Sequence, residues 1–486
     1  MTAEVLARVA GPVGAGGLAL LFVAAPRWAR LLGFAAALVG MGLFVPLLLP
    51  SGGGGLLAVG GLAAAAVTAG LGVLFQRHPW ALPPLALAAV PARIPIPVGG
   101  STNNLLVPLY VVVAGAVVSL GWSLWREAPA RRRELGAVAW PLAAFVAWVG
   151  LSLLWTNDPE RGAVELLAFY LPFGLLAVAL VRLNWNADGI VWLFRLLLGM
   201  GLLFAVVGIW QWATRSVFWN PKVIADNAFA TFYRVNSLFW DPSIYGRFLV
   251  VAILVTLTVL VVGPWRRWDW HLGVALVVLW VGLFFSFSQS SFAALIAGVL
   301  VVGVLGWRQR ALAVVGAATV LLLALGVTLE QPHGTRQALA AHGEQGLNRA
   351  TRGRFDLVKN GLEIALDHPV VGVGVGGFTK AYSESVQVAR RVKTPASHNT
   401  PVTVAAEGGI VGLALFAWLA GAAFLVPFRR VGPDPPLVYV AGLAAGLGLT
   451  GIVVHSLFYA ALFEDPLTWG FVALATLAAR VSAEPQ

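Results

Sequence analysis

Three short groups of polar residues interrupt an otherwise apolar chain, and each carries side chains that can do chemistry. The first is Arg234-Val-Asn-Ser-Leu-Phe-Trp-Asp241-Pro242-Ser243, a basic residue and a carboxylate just ahead of an apolar run. The second is Arg352-Gly-Arg354-Phe-Asp-Leu-Val-Lys359, which leads into Asp367-His368-Pro369 and the glycines Gly372, Gly374, Gly376 and Gly377. The third is His398-Asn399 followed by Glu407-Gly408-Gly409-Ile-Val-Gly412. Guanidinium groups bind anionic oxygens in a planar, two-point fork. A neutral histidine at the mouth of an apolar segment can take the proton of an attacking hydroxyl. The plainer roles are also open at this point: an arginine that snorkels to lipid headgroups, a histidine that packs at a helix start, and an asparagine that caps one.

These groups must be positioned by membrane helices. The 486 residues are 59% hydrophobic and 11% charged, far more apolar than a soluble domain, and the mean hydropathy is +0.84. About 20 apolar residues carry a helix across the hydrocarbon core. Runs of that length lie near 6–25, 31–49, 54–75, 104–125, 136–155, 163–182, 189–213, 243–263, 270–286, 290–307, 311–329, 401–427, 436–459 and 466–480. They do not alternate strictly, which favours helices over barrel strands. The expected fold is therefore all-α and polytopic, with about 12–14 transmembrane helices. Residues 1–329 are read as transmembrane helices with short loops, 330–400 as an external helical loop holding motifs, and 401–486 as the final transmembrane helices. The first run is read as an uncleaved span. With zero cysteines, disulfides and thiolate chemistry are excluded.

Loop charge orients the helices. Arg126, Arg131, Arg132 and Arg133 crowd one short loop, which the positive-inside rule assigns to the cytoplasm. Stepping span by span puts Arg182, Arg266, Arg267, Arg308, Arg310, Arg429 and Arg430 on the same side and both termini with them. Residues 155–162, 214–242, 286–290, 330–400 and 460–465 fall on the external face. That face carries Arg161, Arg215, Arg234 and the arginines of the long loop against the usual bias, so they call for an anionic partner. The net charge of +11 on a membrane chain speaks for topology and lipid headgroups and not for nucleic acid.

The segment 330–400 is too long for a simple connector. Helices are expected over 331–348, 351–367 and about 379–392. No Gly-Lys-Ser/Thr follows the Val-Gly alternation, so it reads as a tight turn allowing close backbone packing and not as a phosphate-cradling loop. His455, inside a late span, reads as structural.

In this order and topology, the three groups resemble the conserved pieces of the O-antigen ligase family, the bacterial membrane proteins related to O-antigen polymerases and pilin oligosaccharyltransferases. The resemblance covers roughly residues 140–480. It rests on an arginine before a short Asp-Pro element, an arginine ahead of a helix and a Pro-Gly-rich turn, then His-Asn and a Glu-x-Gly-like helix. Two positions depart from the pattern: Val358 stands where tryptophan is common, and Ser243 where asparagine is common.

The resemblance implies transfer of O-antigen polysaccharide from undecaprenyl diphosphate to a sugar hydroxyl of lipid A-core, at the periplasmic face of the bacterial inner membrane. His398 would then be the general base. Arg234 and Arg354 match the family motifs and would clamp the diphosphate. Arg352, Arg161 and Arg215 are candidates for the same role, the last two by side alone. Asp241, Asn399 and Glu407 would bind or support. No cofactor is expected, neither metal nor nucleotide: Asp and Glu are absent between Glu4 and Glu127, and no Walker pattern is present. Inversion follows if the acceptor displaces the donor in one step. An O-antigen polymerase or protein O-oligosaccharyltransferase is the alternative within the class, and a membrane transporter the alternative outside it. A deletion strain separates the first two: a ligase leaves long lipid-linked polymer unattached, a polymerase leaves single-repeat chains. A transporter would place charge at the membrane midplane in repeated halves, and neither feature is visible.

Overall fold

A computed structural model describes residues 3–48, 54–98, 101–127, 134–218, 220–229, 232–263, 269–304, 354–385, 397–428 and 436–481. The chain is a polytopic, helical membrane protein. Among the described residues, eight helices are long and apolar enough to cross a membrane, and four shorter apolar helices accompany them. The expected span at 311–329, the loop helix at 331–348 and Arg352 lie outside the described residues.

The first helices are α1 (Ala3–Val23), α2 (Arg27–Leu48) and α3 (Gly54–Arg77). A 3-10 turn, Pro79–Ala81, leads into the short α4 (Leu82–Ala89), and a β-hairpin, β1 (Ile94–Val98) and β2 (Ser101–Leu105), precedes α5 (Val107–Arg126). Then come α6 (Ala139–Ser152), α7 (Pro159–Glu165), a π-helical turn at Leu166–Tyr170, α8 (Leu171–Val181), α9 (Ala187–Thr214) and α10 (Pro221–Phe229). Next follow α11 (Pro242–Val262), α12 (Asp269–Phe284) and α13 (Gln289–Val304). The loop contributes α14 (Arg354–Asp367) and α15 (Phe378–Ser385), and the chain closes with α16 (Thr400–Leu425), α17 (Leu437–Ser456) and α18 (Pro466–Val481). The most buried long helix is α11, with 83% of its apolar window inside the protein. It is apolar nearly all round, as a central helix must be, with Arg247 its one charged residue.

Four helices that start at the motif-bearing end share one local grammar. Asp158, Asp241 and Asn399 cap α7, α11 and α16 by accepting from the amides of Arg161 (3.2 Å), Ser243 (2.7 Å) and Val402 (3.0 Å). Asp465 accepts from Leu467 N at 2.8 Å ahead of α18. A proline sits in the first turn each time. The side-chain oxygen satisfies an orphan N–H, and proline costs nothing where no intrahelical bond is due.

At the opposite end, Arg182 pairs with Glu127 (3.4 Å) and Glu134 (2.6 Å), and Arg30 pairs with Glu127 at 3.1 Å. Arg182 therefore shares one end with Glu127 and Glu134, as loop charge predicted. The N-terminal part departs from expectation. Trp80 packs edge-on against Trp185 at that same opposite end, 5.1 Å between centroids, whereas Arg93, four residues past α4, exerts its charge on Glu464 at the motif-bearing end. Residues 79–93 thus make a short crossing that apolar-run counting missed, because Pro79, Pro83, Pro84 and Pro91 break it up.

One added crossing inverts everything before it. Arg8, near the start of α1, donates to the carbonyls of Leu153 (3.4 Å) and Thr156 (3.2 Å) at the motif-bearing end. Arg27 and Arg30, at the start of α2, reach the Trp125 carbonyl and Glu127 at the other. The start of α1 is therefore on the face opposite to the one expected, while α18 runs away from the motif-bearing end as expected. Because the chain has no cysteine, single introductions test this cleanly. Glu4→Cys should react with a membrane-impermeant maleimide from the same side as Asn157→Cys and from the side opposite to Glu134→Cys. Labelling of Glu4→Cys together with Glu134→Cys would refute the crossing.

Candidate active site

The glycine series works as a backbone clasp. Gly372, Gly374 and Gly376 have φ of +67°, +85° and +75°, and Gly409 inside α16 has φ +63°. Helix α16 is broken there. In an unbroken helix the amides of Ile410 and Val411 would bond the carbonyls of Ala406 and Glu407. Instead Ile410 N donates to Pro369 O (2.8 Å) and Val411 N to Val370 O (3.5 Å), while Ala406 O accepts from Val373 N and Glu407 O from Gly374 N, both at 2.9 Å. An unpaired backbone group in an apolar setting costs several kcal/mol, so the loop supplies a partner to each of the four backbone groups that the two lost bonds leave orphaned. The other side of the clasp holds the α6–α7 junction: Thr156 Oγ1 donates to Val375 O (2.8 Å), Val375 N to Ser152 Oγ (3.0 Å) and Asn157 N to Val373 O (3.2 Å).

Glu407 belongs to this clasp. Its Oε1 accepts from Phe378 N at 3.2 Å. This bond ties the start of α15 to α16. The expected helix over 351–367 forms as α14, and the third forms as α15, with 386–396 outside the described residues. Arg354 opens α14, but its side chain lies outside the described residues.

His398 stands between Ser397 and the Asn399 cap with φ +56°. Ser397 Oγ accepts from Asn399 N (3.1 Å) and donates to Asn399 O (2.8 Å), and it also contacts the Thr403 hydroxyl. Asn399 Nδ2 donates to Leu457 O at 3.0 Å, tying the turn to the segment after α17. Asn399 is thus a cap and a tether. His398 is half-buried, with the Tyr459 ring 6.2 Å from its own.

Tyr459 joins His398 to His455, which the sequence marked as structural, and to Arg247, which it did not single out. His455, fully buried, lies 5.6 Å from the Tyr459 ring and shares a 3.0 Å hydrogen bond between its Nε2 and Ser290 Oγ. Arg247 lies over the same ring at 5.9 Å and pairs with Asp465 at 2.8 Å, both nearly inaccessible. Burial pushes the Tyr459 phenol up from its usual range, with Asp241 adding to the rise and Arg247 opposing it. It therefore serves as a neutral ring. The Ser286–Ser291 run was the legible signal for this floor. Neither Arg247 nor Tyr459 belongs to a motif.

Arg234 is anchored at three points: Asn227 brackets its backbone N (3.0 Å) and O (2.8 Å), and its Nε donates to Ser286 O at 3.2 Å. Buried Gln211 holds the next turn by accepting from Ser237 N (2.7 Å) and donating to Ser237 O (3.0 Å). Arg215 caps α9 at φ +53° and lies over the rings of Trp212 (4.8 Å) and Tyr233 (5.3 Å), next to Arg234. Arg161 sits in a separate neighbourhood, 3.6 Å from Glu165, and its charge also acts on Glu464. Folding therefore gathers Arg215, Arg234, Asp241, His398 and Asn399 around the Ser286–Ser291 and 455–465 segments, and places Arg161 and Glu407 at the clasp.

Among the described residues, four non-glycine residues have positive φ: Arg215, Ser237, Phe287 and His398, all at this end. Such conformations cost about 1–3 kcal/mol each and concentrate at functional sites.

Residues 274–417 match the sequence profile of the O-antigen ligase family. The matched stretch includes the Ser286–Ser291 run, the clasp, His398 and Glu407; Arg234, Arg247 and Tyr459 lie outside it. No curated protein matches the chain.

Proposed function

From the premise that this chain belongs to the O-antigen ligase family, we propose that it transfers O-antigen polysaccharide from undecaprenyl diphosphate to a lipid A-core hydroxyl at the periplasmic face of the bacterial inner membrane. The observation that carries this reading is the gathering of Arg215, Arg234 and His398 at one end of the bundle, linked through Ser286–Ser291, His455 and Tyr459.

The acceptor hydroxyl gives its proton to His398 as its oxygen attacks the anomeric carbon. The bond from that carbon to the diphosphate oxygen breaks, and the lipid diphosphate leaves with the electron pair. Arg234 has its Nε turned to Ser286 O, which aims the guanidinium. We read its guanidinium as the two-point fork for the diphosphate, with Arg215 beside it and Arg354, Arg352 and Arg161 as further candidates. One displacement inverts the anomeric centre. Neither metal nor nucleotide takes part.

Purified enzyme with a polyprenyl-diphosphate-linked donor and a lipid A-core acceptor, assayed in EDTA without nucleotide, tests this. The wild type should transfer glycan. Arg234→Lys keeps the charge but loses the fork and should fall by about tenfold, with Arg234→Ala lower still. Arg131→Ala, placed at the opposite end by its loop charge, should stay near wild type. Equal losses at Arg131 and Arg234 would remove the clamp, and elongation of the donor without transfer to lipid A-core would point to a polymerase.

A further inference from the structure

We infer that Tyr459 is a positioning residue for His398, its ring backing the imidazole and itself braced by the Arg247–Asp465 ion pair. The inference rests on the reading of His398 as the base. Its ground is geometric. The Tyr459 ring lies 6.2 Å from the His398 ring and 5.6 Å from that of His455, with interplanar angles of 59° and 53°. It therefore stands beside both imidazoles, the half-exposed one and the buried one.

The ring is held by groups that cannot drift. Arg247 lies over it at 5.9 Å, and the Arg247 guanidinium is locked by Asp465 at 2.8 Å and by the Ala461 carbonyl at 3.4 Å. Asp465 is in turn fixed by the amide of Leu467. On the other side, Asn399 ties the His398 turn to the Leu457 carbonyl, two residues before Tyr459. The base and its backing ring are thus stitched to one short segment. Asp241, Arg247, Arg93 and Glu464 are the charges acting on the phenol.

His398 has a strained backbone and a half-open side chain. Removing the ring would widen the range of imidazole orientations, and a misplacement of about 1 Å costs up to about a hundredfold in rate.

Two readouts on the purified full-length chain test this. Diethyl pyrocarbonate acylates neutral imidazole, and mass spectrometry reads its rate at His398 without any assay of transfer. Tyr459→Leu should speed that modification severalfold, and Tyr459→Phe should restore the wild-type rate. In the transfer assay, Tyr459→Leu should lower kcat by about tenfold or more with KM for the donor little changed, and Tyr459→Phe should recover most of the loss.

Equal modification rates in wild type and Tyr459→Leu would overturn the inference. So would undiminished kcat in Tyr459→Leu, or a loss in Tyr459→Phe as large as in Tyr459→Leu. If Tyr459→Leu does not fold, Tyr459→Met and Asp465→Asn give the same two readouts, the second by releasing Arg247 from its brace. If the wild type turns over no donor and acceptor, the transferase reading fails while the modification rates still decide the positioning.

Discussion

Replacing His398 should abolish most transfer while leaving the helical bundle intact, with a loss of about 10² to 10⁴ in rate if the imidazole is the general base. The choice of variant matters because the residue sits at φ +56°. Alanine there would add about 1–2 kcal/mol of backbone cost to the lost chemistry. Asparagine and glycine tolerate that conformation, so His398→Asn and His398→Gly isolate the imidazole. Both should lose as much activity as His398→Ala and elute as monodisperse protein like the wild type. Added imidazole should recover part of the rate in His398→Gly, where the space is open. Transfer by His398→Asn at the wild-type rate would remove the base from the mechanism.

The second large effect is structural. Gly374→Ala should sharply reduce the yield of folded protein, because two independent costs meet at one atom. The backbone has φ +85°, and an added Cβ would lie 2.4 Å from Thr156 Cα and 2.8 Å from Ser152 O. Left-handed backbone costs about 1–2 kcal/mol for an L-residue and overpacking about 1–3 more, and the neighbours are backbone atoms of α6 and its junction that cannot swing aside. Gly421→Ala is the matched control. It lies in α16 with nothing within 4 Å of the added carbon, so it should be neutral or gain about 0.5–1 kcal/mol. Thermal unfolding in detergent compares them. A melting point for Gly374→Ala equal to that of Gly421→Ala would mean that the clasp is not needed to hold the broken helix.

Much of the architecture is legible locally. Apolar runs of helix-crossing length mark the spans because only helices satisfy the backbone in lipid, and Asx residues before proline mark where α7, α11, α16 and α18 begin. The tight-turn reading of Gly372, Gly374 and Gly376 follows from residue type alone, since no other residue enters those conformations freely. Counting charges across spans assigned Arg234, Asp241, His398 and Asn399 to one face, and the family motifs singled out these residues and Glu407.

Only tertiary structure decided the rest. The crossing at residues 79–93 is too short and proline-broken to register as an apolar run, and it shows only in what its two ends touch. That one segment sets the direction of α1, α2 and α3. The break at Gly409 is invisible along the chain because Glu407-Gly408-Gly409 sits in a continuous apolar window. The break holds because Pro369–Gly374, more than thirty residues earlier, supplies its missing hydrogen-bond partners. Arg247 and Tyr459 carry no local signal either, and His455 shows along the chain only as a polar residue inside a span; what they pair with appears only when the fold brings Arg247 to Asp465, His455 to Ser290 and Tyr459 to His398. Side-chain type and spacing act along the chain, whereas these pairings join residues that are distant in sequence and meet only when the helices pack.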